Sequence, residues 1–228
     1  MTRGVLPRPS PTRQPLAVAG TILAAGRGER LGCRPKAALE IAGVTMLERL
    51  ARTLRKSGVE PLSVVVGPYA ETLLPIAAHA GLHPLMHEQP DATLEDSQRR
   101  ALEHHLDLHA QADLLLVLGD LPLLDRRAIA PLLQAWHQRP KHVDALMPVV
   151  EGVRGHPVLL SSRAVHDLVN ASHWTGVRHW LATHAGKAMA IPASGPAYVT
   201  DLDTPDDLAL LRQRLSPLTV GWPAPWTI

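Results

Sequence analysis

LAVAGTILAAGRGERLGCRPK, residues 16–36, opens with an apolar run of strand length, Leu16 to Ala25, broken only by Gly20 and Thr21, and ends in Gly26-Arg27-Gly28-Glu29-Arg30. Glycine has no Cβ and tolerates φ > 0, so such a turn brings the backbone close to a ligand. Successive amides in a turn of this kind form an anion-binding concavity, and Arg27, Arg30 and Lys36 add positive charge where a polyphosphate would lie. The three glycines of a dinucleotide fingerprint open straight into a helix, whereas here an extended segment containing Pro35 follows.

Downstream, apolar runs of strand length alternate with helical periodicity, the rhythm of a parallel α/β sheet. Val44, Leu47, Leu50 and Leu54 predict a helix ended by Ser57-Gly58, and residues 62–67 (LSVVVG) a strand. Residues 69–80 predict a helix disturbed by Pro75, and residues 82–87 a short strand. A polar stretch, 88–96, then leads into a helix running to about His109, and residues 113–119 (DLLLVLG) read as the central strand. Asp125 caps a helix with Ile129, Leu132, Leu133 and Trp136 on one face. Residues 143–150, 155–160 and 187–192 predict strands, with two short helices around Val165 and Trp180. Thr204-Pro205-Asp206-Asp207 is a helix start, with both acids serving as N-terminal charges.

The 228 residues suit one domain, 15–216, between a disordered extension, 1–14, and a tail, 217–228, that carries two tryptophans. The 23 Lys and Arg nearly balance 21 Asp and Glu, and three of the arginines fall within the first fourteen residues, so no basic face for nucleic acid is implied. The single cysteine, Cys33, reads as loop filler in a reducing, cytoplasmic setting. No segment approaches the roughly 18 apolar residues of a membrane span. Thirteen histidines include His79, His83 and His87 at spacing four and His104, His105 and His109 on one helix. They are expected to be solvated or core residues rather than a metal site, with His104 facing solvent.

The string Leu23-Ala24-Ala25-Gly26-x-Gly28-x-Arg30-x-Gly32 with Pro35-Lys36 resembles the signature of nucleotidyltransferases with a MobA/MocA-like NTP transferase domain, closest to the molybdenum cofactor cytidylyltransferases. That resemblance implies a single Rossmann-like three-layer α/β domain with a mostly parallel, mixed sheet of the nucleotide-diphospho-sugar transferase type. It implies that Leu23, Ala24, Ala25, Gly26, Arg27 and Gly28 cradle an NTP, CTP or GTP, and that Arg30 and Lys36 serve the leaving pyrophosphate. Gly119-Asp120, at the carboxyl end of the central strand, matches the family's metal-holding Gly-Asp-x-Pro-Leu, and Asp201-Leu202-Asp203-Thr204-Pro205 matches its Asp-x-Asp-Thr-Pro. Asp120 and Asp203 are thus the expected Mg²⁺ ligands. Strand alternation would place Asp201 on the same side as a further candidate. Mg²⁺ on a triphosphate takes one or two protein carboxylates.

Gly155-His156-Pro157-Val158, with Arg154 beside it, resembles the acceptor-side motif of the same branch. Of that branch's serine cluster near the nucleotide only Ser97 survives, at the polar helix start 96–99. The implied partners are an NTP and a small phosphorylated acceptor, a molybdopterin-type cofactor, with a molybdoenzyme receiving the product and no nucleic acid or membrane. A sugar or alcohol phosphate is the alternative acceptor. A catalytically silent nucleotide-binding protein of cofactor maturation is the alternative of another class.

Overall fold

The chain's computed structural model describes residues 17–87, 89 and 91–227. The extension expected over 1–14 lies outside the described residues, as do Leu16, Glu88 and Pro90. Strand β1 (Val18–Ala24) is buried along its length, with Val18, Ile22 and Ala24 in one apolar cluster and Leu23 in another. Alternate side chains serve alternate faces, so a strand of this kind needs a layer on each side.

Those layers come from the segments that follow. They are β2 (Glu40–Ile41), β3 (Val44–Thr45), α1 (Met46–Lys56), β4 (Val59–Val66), α2 (Ala70–His79), β5 (His83–Met86), α3 (Leu94–His109), β6 (Asp113–Leu118) and α4 (Arg126–His137). After them come β7 (Ala145–Val150), β8 (Val153–Arg154), β9 (Val158–Leu160), α5 (Ser162–Val169), α6 (Gly176–Thr183), β10 (Ala188–Pro192), α7 (Pro205–Leu215) and β11 (Val220–Gly221). The main sheet has the order β10-β7-β9-β6-β1-β4-β5, with β8 paired to β7. All its neighbours are parallel except where β9 meets β6 and β7 and β8 meets β7. Helices α1, α2, α4 and α7 pack on one face and α3, α5 and α6 on the other. This is the three-layer α/β domain with a mostly parallel, mixed sheet that the sequence implies.

From β1 the chain builds outward to β4 and β5, then crosses through α3 to β6 on the opposite flank of β1. Such a reversal opens a crevice beyond the carboxyl ends of the two strands. The glycine turn leaves β1 there, and Gly119-Asp120 leaves β6 there.

Local chemistry corrects several expected boundaries. Val44 belongs to β3, because Thr45 caps α1 in a box with Glu48. Helix α3 begins at Leu94, two residues early, because Thr93 and Asp96 form a second capping box. Helix α2 runs through Pro75 unbroken. Residues 155–157 are not strand; only β8 and β9 flank them.

The histidine helix differs more. His105 is 2% exposed, with Nε2 2.9 Å from the Ala112 carbonyl. His104 is partly buried rather than solvent-facing: its ring stacks on His83 at 4.9 Å and its Nε2 lies 3.2 Å from Ser63 Oγ. The reason is that α3 lays this side against β4 and β5. Burial lowers both pKa values, with neighbouring imidazoles adding to it at His104 and the bond to the Ala112 carbonyl partly opposing it at His105. A histidine with a lowered folded pKa adds stability that is full above its unfolded value and lost as pH falls below it. Stability to urea is therefore expected to decline from about pH 6.5 downward, and His105→Gln to make that decline shallower; equal slopes would show that His105 does not contribute. Among the described residues no group of three or more His, Cys, Asp or Glu is placed to hold a metal ion, and no helix is long and apolar enough to cross a membrane.

Candidate functional site

Gly28 takes a left-handed conformation (φ 60°), and a Cβ there would stand 2.2 Å from the Arg34 carbonyl oxygen, so only glycine closes this turn. Its own carbonyl accepts from the amides of Leu31 (2.9 Å) and Cys33 (3.0 Å), which folds the chain back toward Lys36. Cys33 itself is exposed. At Gly26 the constraint is different: φ is ordinary and a Cβ would meet nothing within 4 Å. The space beside Gly26 is the cleft it lines.

Lys36 joins the segments. Its Nζ donates to Asp120 Oδ2 at 2.9 Å and to Asp203 Oδ1, while the Arg30 guanidinium donates to Asp203 Oδ2. Residues 84 and 167 positions apart in sequence thus meet at one ammonium. Burial alone would lower the Lys36 pKa, but the two carboxylates outweigh it and hold the value above ordinary. The Leu202 amide donates to the Asp120 carbonyl at 3.1 Å, tying the two acidic segments together through the backbone. Asp203 is held from behind by Asp207, whose carboxylate accepts from the amides of Asp203 (3.1 Å) and Thr204 (2.7 Å) in the capping box of α7.

Residues 201–203 are not strand, so the alternation expected to bring Asp201 beside Asp203 fails. Asp201 instead lines a separate cleft with Pro122, Leu123 and Leu210. Burial, then the charges of Asp203 and Asp120, raise its pKa. Asp120 Oδ1 is buried without a hydrogen-bond partner among the described residues. A buried, unpartnered carboxylate oxygen is costly unless something fills its lone pairs, and with Asp203 alongside it presents the hard oxygen donors that Mg²⁺ accepts. The residues present fit that ion.

Leu23, Ala24, Ala25, Gly26, Lys36, Ser97, Gly119 and Asp120 line one cleft of about 690 Å³ including its open mouth. Arg27 and Gly28 are not in its lining: Arg27 lies 3.5 Å from Glu29, and Gly28 is committed to the turn. Arg30 joins through Asp203. Ser97 Oγ donates to the Thr93 carbonyl (3.0 Å) and lies 2.9 Å from His87 Nε2, so most of its hydrogen-bonding capacity is used within the fold.

Arg154, Gly155 and His156 line a second cleft of about 1340 Å³ including its open mouth, which shares Leu94 with the first. Gly155 is required there because a Cβ would stand 2.6 Å from the Tyr198 carbonyl oxygen, the same oxygen that accepts from the His156 amide at 2.9 Å. Burial lowers the His156 pKa, leaving the ring neutral, and its Nδ1 is buried without a partner among the described residues.

The sequence leaves the tail's partner open, and the structure docks it behind the loop. Strand β11 pairs with β2, Trp222 Nε1 donates to the Pro35 carbonyl at 2.8 Å, and the Arg34 guanidinium lies 5.6 Å from the Trp222 ring. Trp226 meets Tyr69 edge-on at 5.4 Å, and the Tyr69 hydroxyl donates to the Arg27 carbonyl at 2.6 Å. Both ends of the loop are thereby braced. Trp222→Phe keeps an aromatic side chain but removes one of the two donors to the Pro35 carbonyl, leaving the Ala38 amide at 3.0 Å, a loss of about 1 kcal/mol measurable by urea unfolding; an unchanged midpoint would show the bond to be dispensable.

Residues 20–188 match the MobA-like NTP transferase domain. The "Bifunctional IPC transferase and DIPP synthase" of Rubrobacter xylanophilus is 30% identical over 91% of this chain and 53% of its own length. This chain thus spans about half of that relative. The "Nicotine blue oxidoreductase" of Paenarthrobacter nicotinovorans is 27% identical over 84% of this chain and 94% of its own. The solved structure of a cytidylyltransferase from Leptospira borgpetersenii superposes with a TM-score of 0.70 at 17% identity, covering 88% of this chain and 87% of that one. That likeness carries the fold, and the match over residues 20–188 carries the family: the chain belongs to the MobA-like NTP transferase domain family.

Proposed function

We propose that the chain transfers a nucleotidyl group from CTP, or less readily GTP, to a small phosphorylated acceptor of the molybdopterin type and releases pyrophosphate. The observation that carries this reading is the meeting of Lys36, Asp120 and Asp203 at the mouth of a cleft lined by the glycine turn. An NTP in the first cleft would set its phosphates against Ala25 and Gly26, where no side chain intrudes. Asp120 and Asp203 would hold Mg²⁺, which when bound neutralises phosphoryl oxygens and orients them for in-line displacement. Lys36 and Arg30 supply positive charge to the pyrophosphate as the bond to the α-phosphorus breaks, the moment at which fixed charge is worth most. An acceptor phosphate oxygen, entering from the second cleft past Leu94, forms the new bond to that phosphorus. No protein nucleophile is needed.

Incubation with each of the four NTPs, Mg²⁺ and phosphorylated acceptors, with pyrophosphate measured, tests the reading. Release with CTP is expected. Nucleotide binding without release from any acceptor would favour the silent, cofactor-handing alternative.

A further inference from the structure

Two arginines line the second cleft, Arg154 beside the acceptor motif and Arg178 far from it in sequence. Arg154 lies on β8, in a hairpin whose turn residues Glu151 and Gly152 are both left-handed, as a two-residue turn between paired strands requires. Arg178 lies on α6, whose place on α3 is set by the Val177 amide donating to Gln98 Oε1 at 3.0 Å and by Trp174 Nε1 donating to the Glu95 carbonyl at 3.1 Å. Neither arginine has an ion pair or hydrogen bond with a described residue, and no carboxylate lines the cleft they share. Between its polar groups, Leu116, Met147 and Leu181 give it apolar wall. Leu94 and Val153, 47% and 58% exposed, are two of the few exposed large hydrophobics among the described residues, and both lie on this cleft.

We propose that Arg178, with Arg154, holds the phosphate of an acceptor whose body is a flat ring system, its faces against the apolar side chains, rather than a polyol. The proposal rests on the nucleotidyl-transfer reading and narrows its acceptor. Guanidinium forks suit phosphate oxygens, and apolar walls suit a ring face. The hydroxyls of a sugar phosphate would find little to bond, because Gln98 Oε1 is already committed to Val177 and His156 offers one free nitrogen. Polar groups buried without partners are penalised, so the walls select against a polyol.

The test uses the full chain and two probes, 1-naphthyl phosphate and glucose 1-phosphate, titrated by calorimetry with and without saturating CTP and Mg²⁺. Naphthyl phosphate is expected to bind at least tenfold tighter, and CTP is expected not to displace it. Arg178→Glu, at an exposed position, is expected to weaken naphthyl phosphate tenfold or more and to leave CTP affinity unchanged. Equal or reversed affinities, no binding of naphthyl phosphate, its displacement by CTP, or indifference to Arg178→Glu would each overturn the proposal. CTP binding with the preference reversed would defeat this inference alone. The preference retained with no NTP bound would uphold the aryl phosphate site and defeat the nucleotidyl reading.

Discussion

Asp120→Asn is expected to keep the fold and to slow pyrophosphate release roughly a thousandfold, since a metal's charge stabilisation is worth several kcal/mol and each tenfold about 1.4. Asparagine is isosteric, and its amide oxygen can still accept from Lys36, so the backbone bond from Leu202 and the strand end at β6 are undisturbed. What is lost is charge. Oδ1, buried and unpartnered, is where the proposed ion would sit, and a neutral amide there is a far poorer ligand. A coupled pyrophosphate assay at saturating NTP, with circular dichroism as the control on folding, reads the effect. A wild-type rate in the folded variant would remove Asp120 from the chemistry.

Asp113→Ala is expected to cost about 3–5 kcal/mol of folding stability, because it leaves a mostly buried cation without its partner. Asp113 is 1% exposed, at the start of β6 and away from the cleft. Its Oδ2 accepts from Trp136 Nε1 and Arg139 Nη2, both at 2.9 Å, and its Oδ1 accepts from the Ser162 amide at 3.1 Å. The Arg139 guanidinium lies 3.5 Å from the Trp136 ring centroid. One carboxylate therefore joins β6, the end of α4 and the start of α5. A domain stable by about 5–15 kcal/mol gives up much of its margin when that junction opens. Urea denaturation measures it, and a loss under about 1 kcal/mol, the range of ordinary surface changes, would mean that the junction is not a stabilising one.

The parts of the fold legible in the sequence are those governed by local rules. The apolar runs of β1, β4 and β6 announce a sheet covered on both faces, and Asp125 and Thr204 mark the starts of α4 and α7. The glycine turn and Gly119-Asp120 could be placed together because strand ends at a switch point must converge. What stayed hidden depends on long-range contacts. Asp113 reads as the first residue of a strand, and nothing nearby foretells a link to Arg139 and Ser162. Trp222 and Trp226 read as a tail because their partners, Pro35 and Tyr69, lie more than 150 residues away. Asp201 and Asp203 read as alternate residues of a strand, but residues 201–203 pair with no strand, which their extended-looking spacing conceals. Arg178 sits in a helix whose apolar periodicity announced only a packed face, and the second cleft exists only once α6 is laid across α3.

The most direct test of the account is a calorimetric titration of CTP into the full chain with Mg²⁺ and again with the metal chelated, for the wild type and for Asp203→Asn. Wild-type binding is predicted with Mg²⁺ and at least tenfold weaker binding without it, with Asp203→Asn losing most of that difference. Absence of heat with any of the four ribonucleotides, or an affinity indifferent to Mg²⁺, would contradict a metal-loaded triphosphate held by Lys36, Asp120 and Asp203.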